Sequence, residues 1–191
     1  TWSLLGVEMT EPVINPEVQK ANFTNEGGVN GSIRFLRNLS GLWLLQGLRS
    51  AWAKQGSDID YSEMTKLAET AEPFKCLIDP DDERFINPPD MPAAIVGFCR
   101  ETGQTPPASQ GEFIRCCLES LALKYRHGLD DIDRLTGAPV DVLHIVGGGT
   151  QNTLLNQFAA NACGRPVTAG PVEATAIGNI LMQAVACGEL E

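Results

Sequence analysis

The chain has 191 residues, 43% of them hydrophobic and 20% charged, which is typical of a globular protein with one full domain and a sizeable core. Its net charge of −10 argues against nucleic acid or an anionic membrane surface as a partner, because both would repel an acidic protein. No apolar run approaches the ~20 residues of a membrane span and no signal peptide is visible, so we expect a cytoplasmic protein.

The first apolar segment, residues 1–7, predicts a strand that is already under way at Thr1, which has no methionine before it. This abrupt start indicates a piece of a longer protein. Residues 22–28 are rich in asparagine and glycine, which suit turn conformations, and they predict a polar loop of the hairpin type.

A helix is predicted from Ser32 onwards, because apolar residues recur there at short helical steps. Asn38 and Gln46 are eight residues apart, so such a helix would carry them near one face, about 12 Å apart along its axis. Solvation is the ordinary role of such polar side chains. The largely apolar helix that they flank modestly strengthens the alternative, a position that lines a cleft.

The middle of the chain predicts helices at 60–70, 91–101 and 112–135, with a short extended run at 74–78. Four acidic residues surround Pro80, as in calcium-binding loops, but the glycine and the closing glutamate of an EF-hand are not at their positions. We therefore expect these residues to form a solvated loop: Asp79, Asp81, Asp82 and Glu83.

Six cysteines occur without a CxxC pair and without histidines at zinc-ligand spacing, so we expect small buried thiols. Cys99 and Cys116 fall in neighbouring predicted helices and would be able to pair under oxidation, which a cytosolic location disfavours. His127 and His144 have no Ser, Cys or carboxylate motif beside them, and we interpret both as structural.

The segment 143–188 organises the rest of the chain. A buried strand at 143–146 is followed by Gly147, Gly148 and Gly149, and then by a helix that Gly164 ends. A second short strand starts at Val167, and another helix spans 173–186. This last helix is predicted to turn the following side chains inward: Ile177, Ile180, Leu181, Ala184 and Val185.

Strand, glycine turn and helix together form a corner that suits a phosphate or a nucleotide. Glycine allows a ligand to approach the backbone closely, and the start of a helix offers unpaired N–H groups to an anion. The alternative is that the glycines only turn the chain tightly. The spacing is neither GxGxxG nor GxxxxGK[ST], so neither the dinucleotide nor the P-loop mechanism is indicated.

Three stretches resemble the C-terminal signature of the FGGY carbohydrate kinases: VGGGTQNTLLNQ at 146–157, ACGRPV at 162–167 and EATAIGN at 173–179. The resemblance implies an α/β domain of the actin-like (ribonuclease-H-like) ATPase fold, with a mixed sheet flanked by helices. It implies that residues 1–191 form the C-terminal, nucleotide-binding domain, while sugar binds mainly to an N-terminal domain. The family's catalytic aspartate, in a Gly-His-Asp motif, would precede this chain, which alone is therefore expected to be inactive.

Further stretches resemble the branch of the family that phosphorylates L-rhamnulose: TWSL at 1–4, NFTNEGG at 22–28, GLWLLQ at 41–46 and DERFINP at 82–88. This resemblance implies L-rhamnulose as the sugar. Two alternatives remain, namely a kinase for another sugar such as xylulose or fuculose, and a non-catalytic actin-fold module that binds nucleotide.

The resemblance also implies roles for single residues. Thr1 would face the ATP phosphates, Asn152 would approach the adenine, and Asn38 would lie near the sugar substrate. The nucleotide-contacting positions implied in total are Thr1, Gln46, Gly147, Gly148 and Asn152. The implied cofactors are ATP and Mg²⁺, and the implied partners are the chain's own N-terminal domain and the sugar; no catalytic residue and no metal ligand is expected within this chain.

Overall fold

Five strands and seven α-helices make up the computed structural model, which describes residues 2–190. The strands are β1 (Ser3–Met9), β2 (Thr24–Gly27), β3 (Ile33–Leu39), β4 (Leu143–Ile145) and β5 (Val167–Ala169). The helices are α1 (Pro16–Lys20), α2 (Trp43–Ala53), α3 (Tyr61–Thr70), α4 (Met91–Glu101), α5 (Gln110–Thr136), α6 (Thr153–Cys163) and α7 (Ala174–Ala186). One antiparallel sheet has the order β1–β3–β2, and β4 pairs with β5 in parallel.

The central strand β3 shows that the prediction of a helix from Ser32 onwards was wrong at its start. This strand pairs with β1 on one side and with β2 on the other. Phe35, Leu36 and Leu39 are all buried, and apolar residues at steps of one and three imitate the face of a helix. The helix begins only at Trp43, so Asn38 and Gln46 lie on different elements.

Strand β2 corrects the prediction that residues 22–28 form a loop. The segment pairs with β3 along residues 24–27, and its amides serve to hold a neighbouring segment. The side chain of Asn25 accepts a hydrogen bond from the Val13 N–H at 3.0 Å and donates one to the Val13 carbonyl at 2.9 Å. The polar residues therefore fix the preceding loop to the edge of the sheet.

Helix α5 contributes to two hydrophobic clusters. Its N-terminal half supplies Ile114 and Leu121 to a cluster that also contains residues of α2, α3, α4 and α6. Its C-terminal half supplies Leu129 and Ile132 to a second cluster, which packs against the inner face of the antiparallel sheet. The helix thus connects the sheet to the helical layer, and its predicted span of 112–135 agrees closely with the structure.

The stretch 74–78, predicted to be extended, contains a bend and joins neither of the sheets of the described residues. Its backbone bonds to side chains instead. The Leu77 N–H donates to the Gln104 side-chain oxygen at 2.8 Å, and the Gln104 amide donates back to the Leu77 carbonyl at 2.7 Å. The Ile78 N–H donates to the Ser120 hydroxyl at 3.0 Å. These bonds replace a strand partner, as buried backbone groups require.

Helix α7 has the predicted bounds within one residue, but its apolar residues do not face inward as predicted. Its side chains are exposed or half-exposed along its whole length, and Ile180 is 66% exposed. The periodicity identified the apolar side chains correctly, but no other element among residues 2–190 covers them. No helix in this described part of the chain is both long enough and apolar enough to cross a membrane.

Four of the six cysteines are buried thiols, as expected, and all six are free. The neighbouring thiol of Cys116 lowers the pKa of Cys76 to about 7, whereas burial raises the pKa of Cys99 to about 12. Pairing of Cys99 with Cys116 under oxidation stays a prediction.

Arg115 and Glu119 form a buried ion pair on α5. The Arg115 Nε donates to the Glu119 carboxylate at 2.7 Å, and the Phe74 N–H donates to the other carboxylate oxygen at 2.8 Å. The Glu119 side chain is only 3% exposed. Arg115 also donates to the Ala68 carbonyl at 3.0 Å, so this pair fastens α3 and the 74–78 stretch to α5.

We expect Glu119→Ala to lower the free energy of unfolding by about 3 kcal/mol, because Arg115 would be left as a buried charge without its partner. Urea denaturation of the chain measures the change. Asp130→Ala is the matched control, since it removes an exposed pair with Arg126 on the same helix and should change stability by less than about 0.5 kcal/mol. Equal losses in the two variants would contradict the role assigned to Glu119.

Candidate functional site

The corner between β4 and α6 contains three of the predicted nucleotide positions. After β4, the glycines form a 3₁₀ turn, Gly147–Gln151, and α6 starts at Thr153. Gly147 has a φ of +79°, a left-handed conformation that favours glycine. The corner is therefore tighter than the simple strand, turn and helix expected from the sequence. Gly147, Gly148 and Asn152 lie together on this one turn.

Four hydrogen bonds define the shape of this corner. The Gly147 N–H donates to the Pro171 carbonyl at 3.0 Å, and the Gly170 N–H donates to the Ile145 carbonyl at 2.9 Å. Within the turn, the Thr150 hydroxyl donates to the Gly147 carbonyl at 2.7 Å. The side-chain amide of Asn156, one turn along α6, donates to the Thr150 carbonyl at 3.0 Å. The loop after β5 and the start of α6 therefore hold the glycines from both sides.

Asn152 is the N-cap of α6. Its side-chain oxygen accepts a hydrogen bond from the Leu155 N–H at 2.9 Å, which satisfies one unpaired donor of the first turn. Because that oxygen is committed to the cap, the amide NH₂ is the part of this side chain that can reach a ligand. The half-buried position of Asn152 beside the glycines fits such a contact.

Open space lies beside Gly148. A Cβ atom placed on Gly148 would meet no atom within 4 Å, whereas one on Gly149 would lie 3.8 Å from the Ile145 side chain. Gly148 therefore faces away from the protein interior, so a ligand can approach its backbone. This is the geometry that a glycine contact to a nucleotide requires.

Asn38 and Gln46 form a second group, at the end of β3 and on α2. Asn38 is exposed and pairs in register with Leu4 of β1. Gln46 is half-buried in the first turn of α2, where its N–H donates to the Leu42 carbonyl at 3.1 Å. The loop of residues 40–42 separates the two elements, so the two side chains flank one corner rather than one helix face. Thr1 lies outside the described residues.

Both groups are attached to the same two hydrophobic clusters. Leu45 of α2 and Leu155 of α6 belong to one cluster. Leu39 of β3, Leu143 of β4 and Ala159 of α6 belong to the other. The glycine corner and the Asn38–Gln46 group are therefore carried by elements that contribute buried side chains to the same two clusters.

The sequence did not reveal two residues that position these groups. Asn156 holds the glycine turn, and its only signal is an amide four residues after Asn152, on the same face of α6. Asp81 was expected in a solvated loop, but one carboxylate oxygen accepts from the Ser40 N–H at 2.8 Å, directly beyond β3. Forty residues of sequence separate Asp81 from Ser40, so no local sequence pattern predicts their contact.

The left-handed backbone of Gly147 generates a stability prediction. Gly147→Ala should lower the free energy of unfolding by about 1–2 kcal/mol, because an L-residue is strained at a φ of +79°. Gly148→Ala should stay within about 0.5 kcal/mol, since its Cβ enters open space. Urea denaturation of both variants gives the comparison, and a larger loss for Gly148→Ala would contradict the geometry described.

Curated relatives match the chain over nearly its whole length. A rhamnulokinase from Bacteroides thetaiotaomicron is 52% identical over 189 residues, which cover 99% of this chain and 38% of the relative. A rhamnulokinase from Pectobacterium carotovorum is 49% identical, covering 98% of this chain and 37% of the relative. The chain thus spans less than two fifths of the length of these curated relatives.

Solved structures share the fold at low identity. Ligand-bound xylulose kinase from Lactobacillus acidophilus has a TM-score of 0.69 at 16% identity, covering 98% of this chain and 37% of that one. Xylulose kinase from Rhodospirillum rubrum has a TM-score of 0.62 at 19% identity, covering 93% of this chain and 36% of that one. These similarities confirm the α/β, actin-like fold expected from the sequence. Because the model of the FGGY family of carbohydrate kinases, C-terminal domain, matches residues 1–187, the chain belongs to this family.

Proposed function

We propose that this chain is the nucleotide-binding half of a kinase that transfers the γ-phosphoryl group of ATP to L-rhamnulose, giving L-rhamnulose 1-phosphate. The observation that carries the proposal is the identity of 45–52% to rhamnulokinases over nearly the entire chain. The chain covers only 38% of such a relative, so the activity belongs to a longer protein.

In this proposal, ATP lies along the corner between β4 and α6. The backbone at Gly147 and Gly148 would face the nucleotide, the amide of Asn152 would approach the adenine, and Gln46 would contact the nucleotide from α2. These are neutral donors, which suit a polyanion in a protein whose net charge is −10. Phosphoryl transfer depends mainly on positioning and charge stabilisation, which such donors supply.

The open space at Gly148 fits a nucleotide that passes close to the backbone. Mg²⁺ in kinases is bound largely by the phosphates and by one or two carboxylates, and it would arrive here with ATP. It would neutralise charge on the transferred phosphate. Thr1, at the other end of the chain, is proposed to face those phosphates, and Asn38 is proposed to face the sugar.

An N-terminal domain of the same polypeptide is the partner that the proposal requires. It would supply most of the sugar contacts and the catalytic aspartate, in a Gly-His-Asp motif ahead of Thr1. The exposed apolar side chains of α7 support this partner, because an exposed apolar patch commonly marks an interaction surface. Ile177, Ile180 and Leu181 are each more than 40% exposed.

Residues 1–191 alone are expected to release no ADP from ATP in the presence of L-rhamnulose, because the aspartate base lies outside them. An enzyme-coupled ADP assay measures this, with the full-length gene product as the positive control. L-xylulose and L-fuculose, tested beside L-rhamnulose on the full-length protein, report whether the sugar has been assigned correctly. Turnover by residues 1–191 would contradict the proposal that the catalytic aspartate lies in the N-terminal domain.

In the full-length protein, Gly148→Val should raise the KM for ATP by about tenfold, because the added side chain occupies the space proposed for the nucleotide. The KM for the sugar should hardly change. Gly97→Val on α4 is the matched control, since a Cβ at Gly97 also meets nothing within 4 Å. If both variants leave the KM for ATP unaltered, the nucleotide does not pass Gly148.

A further inference from the structure

A cavity of about 330 Å³ opens between the end of β3, the start of α2 and the 3₁₀ turn Glu83–Phe85. Its volume is at the small end of the range of ligand pockets. Two indole rings and five further residues line it: Trp2, Trp43, Ser40, Gly41, Phe85, Ile86 and Asn87.

The cavity is lined by residues that are close in the chain to the two proposed ligand positions, Asn38 and Gln46. Ser40 follows Asn38 by two residues, at the end of β3. Trp43 and Gln46 are three residues apart on α2 and therefore lie on neighbouring positions of one helix face. Trp2, at the start of β1, lines the same cavity, directly after the residue proposed to face the phosphates. A ligand in the cavity would thus adjoin both the sugar position and the nucleotide position.

The walls of the cavity combine the apolar side chains of Trp2, Trp43 and Ile86 with a substantial polar surface. Trp2 is 64% exposed, Trp43 41% and Ile86 54%. Exposed indole rings grouped around a concavity are typical of a binding site, because each ring offers a large apolar surface at little cost in side-chain entropy. The Ser40 hydroxyl and the Asn87 amide are the side-chain hydrogen-bonding groups of the lining. Such a lining suits a small apolar group attached to a hydroxylated molecule.

Asp81 holds one wall of the cavity in place. One of its carboxylate oxygens accepts from the Ser40 N–H at 2.8 Å. The other lies 2.9 Å from the Lys124 ammonium and 3.7 Å from the Arg37 guanidinium. Because both cations come from elements of the core, α5 and β3, the loop that follows Asn38 is fixed rather than free. The cavity is therefore a built feature of the fold.

The opposite wall is anchored by Phe85. This ring is 2% exposed and lies 5.8 Å from the ring of Phe98 on α4. Asp82 caps the 3₁₀ turn by accepting from the Arg84 N–H at 3.0 Å. The turn therefore presents Ile86 to the cavity while its neighbour Phe85 is held in the core.

We propose that this cavity receives the methyl end of a 6-deoxyketose, and that Trp43 and Ile86 determine the preference for a methyl group over a hydroxymethyl group at that end. The inference rests on the proposed function, because L-rhamnulose is a ketose whose sixth carbon is a methyl group. L-Fructose differs from it only by a hydroxyl on that carbon. The apolar surfaces of Trp43 and Ile86 gain from contact with a methyl group, whereas a hydroxymethyl group would place a hydroxyl against surfaces that cannot hydrogen-bond it.

The test compares L-rhamnulose with L-fructose as substrates of the full-length kinase. Trp43→Ala and Ile86→Ser should each lower kcat/KM for L-rhamnulose by about tenfold and change it for L-fructose by less than about twofold. The loss should appear in KM rather than in kcat, because the methyl group takes no part in the chemistry. Trp43→Phe should retain most of the preference. Tyr61→Ala is the control, since Tyr61 is another exposed aromatic residue outside the lining of the cavity.

Two failures can be told apart. If the unaltered protein phosphorylates neither sugar, the proposed function fails and the inference fails with it. If the unaltered protein is active but both variants keep the ratio of the two kcat/KM values unchanged, the inference alone is overturned. Equal losses for both sugars are one form of that result, and they would show a general loss of activity without selection at the sixth carbon.

Discussion

The burial of α5 on both halves is the constraint on which the rest of the structure depends. Leu121 packs among helices, and Leu129, two turns later, packs under the antiparallel sheet. Burial of each such side chain stabilises the fold by about 1.5–3 kcal/mol. One continuous helix therefore sets the position of β3 relative to α2 and α6. Asn38 lies on β3, Gln46 lies on α2, and the glycine turn leads directly into α6, so the geometry of the candidate site follows from this packing.

Residues 147–152, which form the glycine corner, contain no charged side chain that could bind an anion. Gly147 and Gly148 present backbone, and Asn152 presents an amide. The corner is instead shaped by hydrogen bonds from Thr150 and Asn156, which are local and short. Such preorganised dipoles need little rearrangement when a charged ligand binds, which is an advantage for a reaction that depends on positioning.

Local signals in the sequence predicted the features that depend on neighbouring residues. Gly164 ends α6 in a left-handed conformation, as its place before Pro166 indicated, and the glycine corner occurs where the motif placed it. The start of the predicted helix at Ser32 was wrong, because Phe35, Leu36 and Leu39 of β3 are all buried and so break the alternation of a half-exposed strand. Periodicity also cannot state what covers an apolar face, as α7 shows.

The spacing on a predicted helix first raised Asn38 and Gln46 as cleft-lining candidates, and the family resemblance then gave them their roles. The structure places them on either side of one loop, and the residue that fixes this loop, Asp81, comes from a segment forty residues away. Contacts of this kind are long-range and leave no spacing pattern in the chain. The aromatic cavity beside the loop escaped the sequence analysis for the same reason, since Trp2 and Ile86 meet only after folding.

The exposed apolar surface of α7 has a consequence for biosynthesis. If an N-terminal domain is its partner, that domain leaves the ribosome before α7 does. Chains grow at about 5–20 residues per second and domains generally fold in the order of synthesis. The surface that receives α7 would then already be formed when Ile180 emerges, so the helix would spend little time unprotected. Because α7 is synthesised late, its exposed apolar surface would have little opportunity to cause aggregation of nascent chains.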